Sequence, residues 1–424
     1  MWGRSSAGRA SRSQCEGQEF DPPRLHHPLI RLPPYRIIEP KAVEKIKKNR
    51  EFVNTDIVCP LCKSTLIEEP FAGESLASRG ALDILKEGLL ICDQCQIWYP
   101  VYCYIPVMLT FITSFHQYFE KKFSGQSHFF STYSPPKGEA EVGEEAIQKS
   151  FTDEWNTTDQ NEEEMSFTYT VEDLVNLNKN VWLRWVKSDN GPSRVLNVGC
   201  GLGNETLALA QMTGAPEVIG VDLNFALFRR GAIQKNHPNI HFVIASLFQL
   251  PFPLESFDLV YSQGVLHHTY STELAFENIS KFVNDNGKLF VWVYGLDDHL
   301  IKKGMLTPIV RAKFAFETMF RPFISRQPKF LRDVNFLLLS LLLHPFVKLR
   351  VRNKALWKLQ NTNHSLRDWL SHRYAHRHSY NEVLYWFEKN GYQILDCQSP
   401  YAYQQIFHKP LWGVGLTGIK KGSD

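Results

Sequence analysis

The sequence has no strong excess of either charge and no uninterrupted apolar run of membrane-spanning length. Its 424 residues carry 47 Lys and Arg against 44 Asp and Glu, and the formal net charge of +3 gives no global signature of a polyanion-binding protein. The most apolar stretch, Val334–Val347, is interrupted by Asn335, His344 and Pro345, so it falls short of the roughly 20 residues that cross a bilayer. No secretory signal pattern is visible. These absences predict a cytoplasmic protein without a transmembrane segment.

Cysteine is also sparse, and its arrangement argues against a disulfide framework. Four of the eight cysteines form two C-x-x-C pairs and the others are scattered, a pattern typical of a reducing compartment and a metal site. Two such pairs present four thiolates, a tetrahedral set that suits Zn²⁺. A redox C-x-x-C is the alternative, which the pairing of the motifs disfavours. We therefore expect a structural Zn²⁺ bound by Cys59, Cys62, Cys92 and Cys95, with a helix over Leu76–Lys86 between the pairs.

The stretch around these cysteines reads CPLCKSTL…GLLICDQCQIWYPVYCYIPVML. It resembles the zinc-ribbon family of small tRNA-methyltransferase activator proteins, chiefly through Tyr99-Pro100-Val101 and Ile105-Pro106-Val107-Met108. Cys103-Tyr104 stands where that family usually has Asp-Gly, so the turn chemistry differs there. The resemblance implies a small ribbon domain over residues 51–112.

The charges are unevenly distributed along the chain. Residues 139–164 carry ten acidic residues against one Lys, whereas residues 301–360 carry thirteen Lys and Arg against two acidic residues. Such asymmetry indicates segments with separate partners. We interpret residues 113–186 as a linker with N-terminal helices, in which the run Ser150–Asn156 stands out as aromatic within polar surroundings and Val171–Val186 has helical spacing.

The stretch Val195–Gly203 joins an apolar run to three glycines at alternate positions, and an amphipathic run, Asn204–Met212, follows. This pattern predicts a strand, a tight turn and a helix. Glycine allows the backbone to turn sharply and to approach a ligand, and the first N–H groups of the helix point into the same crevice. The G-x-G-x-G spacing differs from the G-x-G-x-x-G of dinucleotide binders. An ordinary strand–helix turn is the alternative interpretation.

Short apolar runs separated by helical patterns predict a doubly wound parallel sheet, which binds ligands at the carboxyl ends of its strands. The strand candidates are Arg194–Val198, Glu217–Asp222, Ile240–Ala245, Phe257–Ser262 and Gly287–Tyr294, with Tyr392–Cys397 and Gly413–Ile419 closing the sheet. Asp222 ends the second strand, nineteen residues after Gly203, where a carboxylate can accept hydrogen bonds from both hydroxyls of a ribose. A loop carboxylate or a helix N-cap is the alternative.

Ser379 and Glu382 predict a capping box for a helix over Tyr380–Asn390.

Residues 194–294 resemble the class I S-adenosylmethionine-dependent methyltransferases, specifically the subgroup with LPF…SFDLVYS.GVLHHT, here Leu250–Thr269. The resemblance implies an α/β fold with a Rossmann-like seven-stranded sheet, formed by a cofactor-binding core over residues 187–300 and a C-terminal part over residues 361–424. It implies that the methionine part of the cofactor lies against Gly199, Gly201 and Gly203. It also implies that Asp222 binds the ribose. The adenine and the sulfonium would then be flanked by Ala245, Ser246 and Gln263. Asn197 stands where an acidic residue is frequent, and Ser246 stands where an Asp often contacts the adenine amine; either departure would weaken cofactor affinity.

Histidines supply the candidates for acid–base chemistry, because an imidazole can act as a general base near neutral pH. His268 follows the fourth strand, where packing or capping is the alternative to catalysis. Three more imidazoles lie in the run from Asp368 to Ser379, for which local hydrogen bonding is the alternative. Our catalytic candidates are His268, His376 and His378. Residues 56–424 resemble a bacterial subgroup of proteins that join the zinc ribbon to the methyltransferase core. The resemblance is carried by this run and by the stretches EVLYWFEKNGY and GVGLTGIK.

Residues 301–360 form a helical, basic insertion rich in Leu and Phe. We expect a cap over the acceptor pocket, suited to an anionic or amphipathic acceptor. The same residues could lie on the inner surface of a membrane, with the protein peripheral to it. Simple packing with a solvated basic face is the alternative.

Three functions remain open on the sequence. The first is methylation, on oxygen or nitrogen, of a small-molecule, saccharide or lipid-linked acceptor. The second is methylation of an rRNA or tRNA base, which is disfavoured because the fourth strand ends in Tyr261–Gly264 and not in an Asn/Asp-Pro-Pro-aromatic turn. A basic stripe with interleaved aromatic residues is also not evident outside the insertion. The third is a non-catalytic, methyltransferase-like partner subunit.

Residues 1–50 form an N-terminal extension in this interpretation. Residues 1–28 are polar and basic and lack hydrophobic periodicity. The runs Ser5–Ala10, Gln18–Asp21 and Arg24–His27 resemble a conceptual translation of the arms of a tRNA gene. We therefore expect that the start codon was assigned too early and that the native protein begins near Leu29–Arg36. A disordered basic tail is the alternative.

Overall fold

The computed structural model describes residues 57–71, 87–157, 170–186, 191–296, 307–350, 358–398 and 413–422. The expected helix over Leu76–Lys86 and the N-terminal extension lie outside these ranges.

The first unit is a small antiparallel sheet with the order β1-β2-β3-β4. Its strands are β1 (Ile67–Pro70), β2 (Gly88–Cys92), β3 (Ile97–Tyr102) and β4 (Ile105–Pro106). The two-residue turn between β3 and β4 has positive φ at both Cys103 (51°) and Tyr104 (69°). Such hairpin turns favour Asn, Asp and Gly, so this chain places two unusual residues in a left-handed conformation.

Three helices follow the ribbon: α1 (Ser114–Lys122), α2 (Ser127–Thr132) and α3 (Glu144–Thr157). Phe115 and Phe119 of α1 are fully buried. The ring of Phe115 lies 5.2 Å from that of Phe225 and 4.9 Å from that of Phe228, between ring centroids. The segment that the sequence suggested as a linker therefore packs into the core.

The large sheet has seven strands in the order β10-β11-β9-β8-β5-β6-β7. They are β5 (Arg194–Val198), β6 (Glu217–Asp222), β7 (Ile240–Ile244), β8 (Phe257–Gln263), β9 (Val283–Tyr294), β10 (Tyr392–Cys397) and β11 (Gly413–Lys420). The strands from β5 to β9 are parallel to one another, and β11 and β10 add two antiparallel pairings at one end. The predicted seven-stranded α/β sheet is confirmed.

Helices cover both faces of this sheet. Neighbouring residues Val195 and Leu196 are both fully buried, yet they belong to separate hydrophobic clusters, because successive side chains of a strand point to opposite faces. The helices of the core are α4 (Val171–Leu177), which continues as a π-helical turn over Asn178–Trp182, α5 (Asn204–Thr213), α6 (Gly231–Asn236) and α7 (Thr272–Ser280).

The ribbon covers the open edge of the large sheet at β7. The Met108 N–H donates to the Ile244 carbonyl at 2.7 Å, and the Val58 N–H donates to the Pro251 carbonyl at 2.9 Å. Lys63 Nζ donates to the Leu250 carbonyl at 2.7 Å. An edge strand exposes unpaired backbone groups, and here part of that edge is satisfied by the ribbon.

The insertion after β9 is helical, as the sequence predicted. It contains α8 (Thr307–Ser325) and α9 (Lys329–Arg350), and two further helices, α10 (Leu359–Leu370) and α11 (Tyr380–Lys389), follow before β10. The predicted capping box at the start of α11 is present, because the Ser379 N–H donates to Glu382 Oε2 at 2.7 Å and the Glu382 N–H donates to Ser379 Oγ at 3.2 Å.

The length of α9 corrects the expectation of a short apolar run. The helix continues through Pro345, so its stretch Lys329–Leu349 has 21 residues with a mean hydropathy of 1.5. Within the part of the chain that the structure describes, this is one helix long and apolar enough to cross a membrane. Only 17% of its most apolar window is buried inside the protein.

Candidate active site and metal centre

The glycine turn after β5 has the backbone that its spacing predicted. Gly199, Gly201 and Gly203 all have positive φ, at 80°, 57° and 85°. A Cβ atom on Gly199 would lie 2.1 Å from Cγ2 of Val265, so a larger residue there is excluded by both conformation and space. The turn therefore requires glycine, and it leads directly into the N-terminus of α5.

Asp222 at the end of β6 holds this turn. Its Oδ2 accepts a hydrogen bond from the Gly201 N–H at 2.7 Å, and its Oδ1 accepts from the backbone and side-chain amides of Asn224 at 2.9 and 2.6 Å. Burial raises the pKa of Asp222, and these donors oppose the rise because they stabilise the ionised form. The carboxylate is thus fixed in position at the carboxyl end of the sheet.

A cavity of about 290 Å³ opens beside the turn and Asp222. It lies at the carboxyl ends of β5, β6 and β8, where parallel sheets of this kind bind ligands. The site residues predicted from the sequence that line it are Gly199, Gly201, Asp222, Ala245, Gln263 and His268.

Three predicted cofactor residues are not part of this lining. Asn197 is buried in β5, where its Nδ2 donates to Thr206 Oγ1 at 3.0 Å and ties the strand to α5. Gly203 lies against the ring of Phe242. Ser246 Oγ accepts from the Phe248 N–H at 3.1 Å. Their part in cofactor binding stays a prediction.

Helix α3 supplies a wall of the cavity that the sequence analysis did not assign. The lining includes Ile147, Phe151, Glu154 and Trp155 of this helix, as well as Glu144 at its start. Trp155 lies over the glycine turn, since a Cβ on Gly201 would be 2.8 Å from its Cζ2. The aromatic run at Ser150–Asn156 was the signal for this contact.

The ionisable groups of the cavity are mostly acidic. Its lining contains four carboxylates and, among the described residues, neither Lys nor Arg. Burial, with the nearby Asp222 as a second cause, raises the pKa of Glu205 to about 8. Burial also raises the pKa of Glu144. A cluster of carboxylates in a partly desolvated cavity favours a ligand that carries positive charge.

His268 is the one catalytic candidate that lines the cavity. Its Nδ1 lies 2.8 Å from the Tyr374 carbonyl oxygen, which can only accept, so the proton resides on Nδ1 and Nε2 keeps a lone pair. Burial, followed by the neighbouring His372, holds the pKa of His268 well below its usual value. The ring is therefore a neutral base at physiological pH.

The other two histidine candidates lie outside the cavity lining. The His376 N–H donates to the His267 carbonyl at 2.9 Å, and the His378 N–H donates to the Tyr294 carbonyl at 2.9 Å. His378 Nε2 is 2.9 Å from Thr272 Oγ1. These contacts attach the return segment to the core, and a catalytic role for either residue stays a prediction.

His372 is instead the return-segment histidine that approaches the cavity wall. Its ring stacks on Phe151 at 3.9 Å between centroids, and its Nε2 lies 2.9 Å from Glu154 Oε2. Sequence spacing alone could not separate it from His376 and His378, because the distinction depends on the packing of the return segment against α3.

The four predicted metal ligands come together in the ribbon. The Sγ atoms of Cys59, Cys62, Cys92 and Cys95 all lie within 4.8 Å of one another. The Cys59–Cys95 and Cys62–Cys92 Sγ distances are 3.9 and 3.5 Å. Four thiolates around one Zn²⁺ at about 2.3 Å would be separated by about 3.8 Å, so the cluster fits a tetrahedral zinc site.

Two family models match the chain. Residues 196–291 match the model described as a methyltransferase domain, and residues 57–102 match the model described as a Trm112p-like protein. The chain thus carries a methyltransferase domain with the fold that binds S-adenosylmethionine, joined to a Trm112p-like domain, which confirms both resemblances read from the sequence.

Two curated relatives match a limited part of this chain. The chain is 30% identical over 107 residues to the malonyl-[acyl-carrier protein] O-methyltransferase of Legionella pneumophila, a match that covers 25% of this chain and 38% of that protein. It is 44% identical over 82 residues to the tRNA U34 carboxymethyltransferase of Pseudomonas savastanoi pv. phaseolicola, which covers 18% of this chain and 25% of that protein. The chain therefore spans well under half the length of these relatives, whose named acceptors differ.

Some solved structures are similar to this chain at low sequence identity. One is a chain of the complex that contains the Haloferax volcanii Trm112 methyltransferase activator, with 11% identity and a TM-score of 0.39. The alignment covers 66% of this chain and 99% of that chain.

Proposed function

We propose that the protein is an S-adenosylmethionine-dependent methyltransferase that acts on a small-molecule, saccharide or lipid-linked acceptor. The observation that carries the proposal is the glycine turn held by Asp222 at the mouth of an acidic cavity. S-adenosylmethionine is a cation with a ribose, and it supplies an electrophilic methyl group when bound.

The residues around the cavity have complementary roles in this proposal. Oδ1 of Asp222 already accepts two hydrogen bonds from Asn224, whereas Oδ2 accepts one from the Gly201 N–H and would accept a second from a ribose hydroxyl. The methionine part would lie beside the glycine turn, which lines the cavity through Gly199 and Gly201. Glu205 and Glu144 provide negative charge for the cationic groups, and the apolar rings of Phe151 and Trp155 exclude water.

His268 is the proposed general base for a hydroxyl acceptor. Its Nε2 is the nitrogen that can take a proton, since Nδ1 is held by the Tyr374 carbonyl. A neutral imidazole with a lowered pKa is already unprotonated at pH 7. Positioning the acceptor beside this nitrogen and aligning it in the closed cavity would supply the rate enhancement.

Methylation of tRNA is a second candidate, favoured by one observation. Over 82 residues, the chain is 44% identical to a tRNA U34 carboxymethyltransferase. The cavity itself favours the first candidate, because an acidic lining opposes the approach of phosphates, whereas nucleic-acid-binding proteins neutralise phosphates with Lys and Arg.

The test is the transfer of a labelled methyl group to separated acceptor pools from the source cells. The full-length protein is incubated with methyl-labelled S-adenosylmethionine and with lipid, saccharide and small-molecule fractions or with bulk tRNA and rRNA. We expect label in one of the first three pools. Label confined to RNA would replace the first candidate by the second, and no label in any pool would favour a non-catalytic subunit.

A further inference from the structure

Helices α8 and α9 expose an unusual amount of apolar surface. Thirteen of the twenty-two large hydrophobic side chains that are exposed in the described part of the chain lie between Phe316 and Leu349. The exposed fraction reaches 76% at Phe330, 70% at Phe323 and 65% at Leu342. We call these thirteen side chains the apolar face. Such a concentration of exposed apolar side chains indicates a site of interaction.

The opposite side of α9 is fixed to the protein. Phe336 and Ser340 are fully buried, and Phe336 packs in a small cluster with Leu366 and Leu370 of α10. Arg332 Nη2 lies 3.1 Å from Asp153 Oδ2 on α3. A helix with one side packed on its own protein and one side exposed can lie along a surface, but it cannot cross a bilayer without losing these contacts.

The charges around the apolar face are cationic at the α8–α9 corner. Arg326 is exposed there, and the exposed Lys329 pairs with Asp153, with 3.0 Å between Lys329 Nζ and Asp153 Oδ1. The two acidic residues between 315 and 349 are both engaged by arginines: Glu317 pairs with Arg321 and Arg377, and Asp333 Oδ1 lies 2.9 Å from Arg367 Nη2. Exposed apolar side chains with cations at their border match the composition of an anionic membrane interface.

We propose that the apolar face is a docking surface for an anionic lipid bilayer, on which α8 and α9 lie in the plane of the headgroups. Phe and Leu side chains enter the acyl boundary, and Arg326 contacts the headgroup phosphates. The occupant is lipid because the face combines a membrane-length apolar helix, only 17% buried in its most apolar window, with a cationic border. This inference does not depend on methyl transfer.

Vesicle flotation with the full-length protein tests the proposal. We expect strong binding to vesicles of phosphatidylcholine and phosphatidylglycerol in equal parts and weaker binding to phosphatidylcholine alone. Leu338→Glu with Leu342→Glu should reduce binding by at least about tenfold, because charged residues are costly below the headgroups. The matched control is Leu254→Glu with Leu296→Glu, two exposed leucines elsewhere, which should bind as the wild type does.

A separate variant tests the electrostatic contribution to membrane binding. Arg326→Glu should weaken binding to the anionic vesicles about fivefold or more, with little effect on neutral vesicles. High salt should reduce the difference between the two vesicle types.

Several outcomes would overturn the proposal. The first is that the wild-type protein does not bind anionic vesicles, and the second is that the α9 variant and its control bind equally. The third is that the lipid-free protein is a dimer which the α9 variant converts to a monomer, because a second copy would then cover the apolar face. Membrane-bound protein that resists extraction by alkaline carbonate would contradict the in-plane arrangement.

Discussion

The carboxylate of Asp222 and the backbone N–H of Gly201 are joined by a 2.7 Å hydrogen bond. This contact connects the end of β6 to the turn after β5, two points that are 21 residues apart in sequence. It makes one residue responsible for both the shape of the turn and a charge in the cavity. The predictions below follow from this arrangement and from the residues around it.

His268 and His376 should differ in their effect on methyl transfer. His268→Gln removes the imidazole of a cavity-lining residue and with it the Nε2 lone pair, so we expect labelling of the acceptor pool to fall about 10²-fold or more. Binding of S-adenosylmethionine should stay within about twofold, because the turn and Asp222 are untouched. His376→Gln is the control and should retain labelling, since His376 does not line the cavity. Equal losses in both variants would remove His268 from its proposed role.

Glu205 should make cofactor affinity depend on pH. Its pKa is raised to about 8 in the ligand-free protein, so at pH 7 the carboxyl is mostly protonated. A cationic ligand favours the carboxylate, so binding releases a proton, and affinity should fall as pH decreases below about 8, by up to about tenfold per pH unit. Calorimetry between pH 6 and 9 in buffers of different ionisation enthalpy measures both effects. In Glu205→Gln this pH dependence should be lost, whereas Glu172→Gln, an exposed residue of α4, should keep it.

Zinc should be bound by the ribbon and should support its packing. Cys62→Ser removes one of four ligands, and we expect the metal content to fall from about one ion per chain towards zero, with a lower melting temperature. Cys397→Ser is the control, because this exposed cysteine lies on β10. Metal analysis by mass spectrometry and a thermal melt provide the readouts. Full zinc content in Cys62→Ser would contradict the four-cysteine site.

Much of the fold could be predicted from the sequence because its signals are local. The strands β5 to β8 are short apolar runs bounded by turns, and their predicted limits agree with the structure to within a residue. The glycine turn and the C-x-x-C pairs are likewise local, since spacing along the chain fixes which backbone and which thiolates come together.

The remaining features depend on contacts between distant residues. Trp155 reaches Gly201 only because α3 packs across the end of the sheet. The aromatic run Ser150–Asn156 stands out in the sequence, but it does not indicate against which part of the chain it packs. The position of His372 beside Glu154 also depends on contacts between distant residues. His376 and His378 instead form backbone hydrogen bonds that attach the return segment to the core. Pro345 interrupts the apolar pattern of the sequence and so predicts a shorter run, yet α9 continues through it.

The most direct test of the account is the calorimetric affinity of S-adenosylmethionine for the wild type, Asp222→Ala and Asp396→Ala. Asp396, on β10, pairs with Arg184 away from the cavity and serves as the control carboxylate. We predict that the wild type and Asp396→Ala bind alike. Asp222→Ala should bind at least about tenfold more weakly, because it loses a charged acceptor and the restraint on the glycine turn. No binding by the wild type, or equal binding by Asp222→Ala, would contradict a cofactor site at this turn.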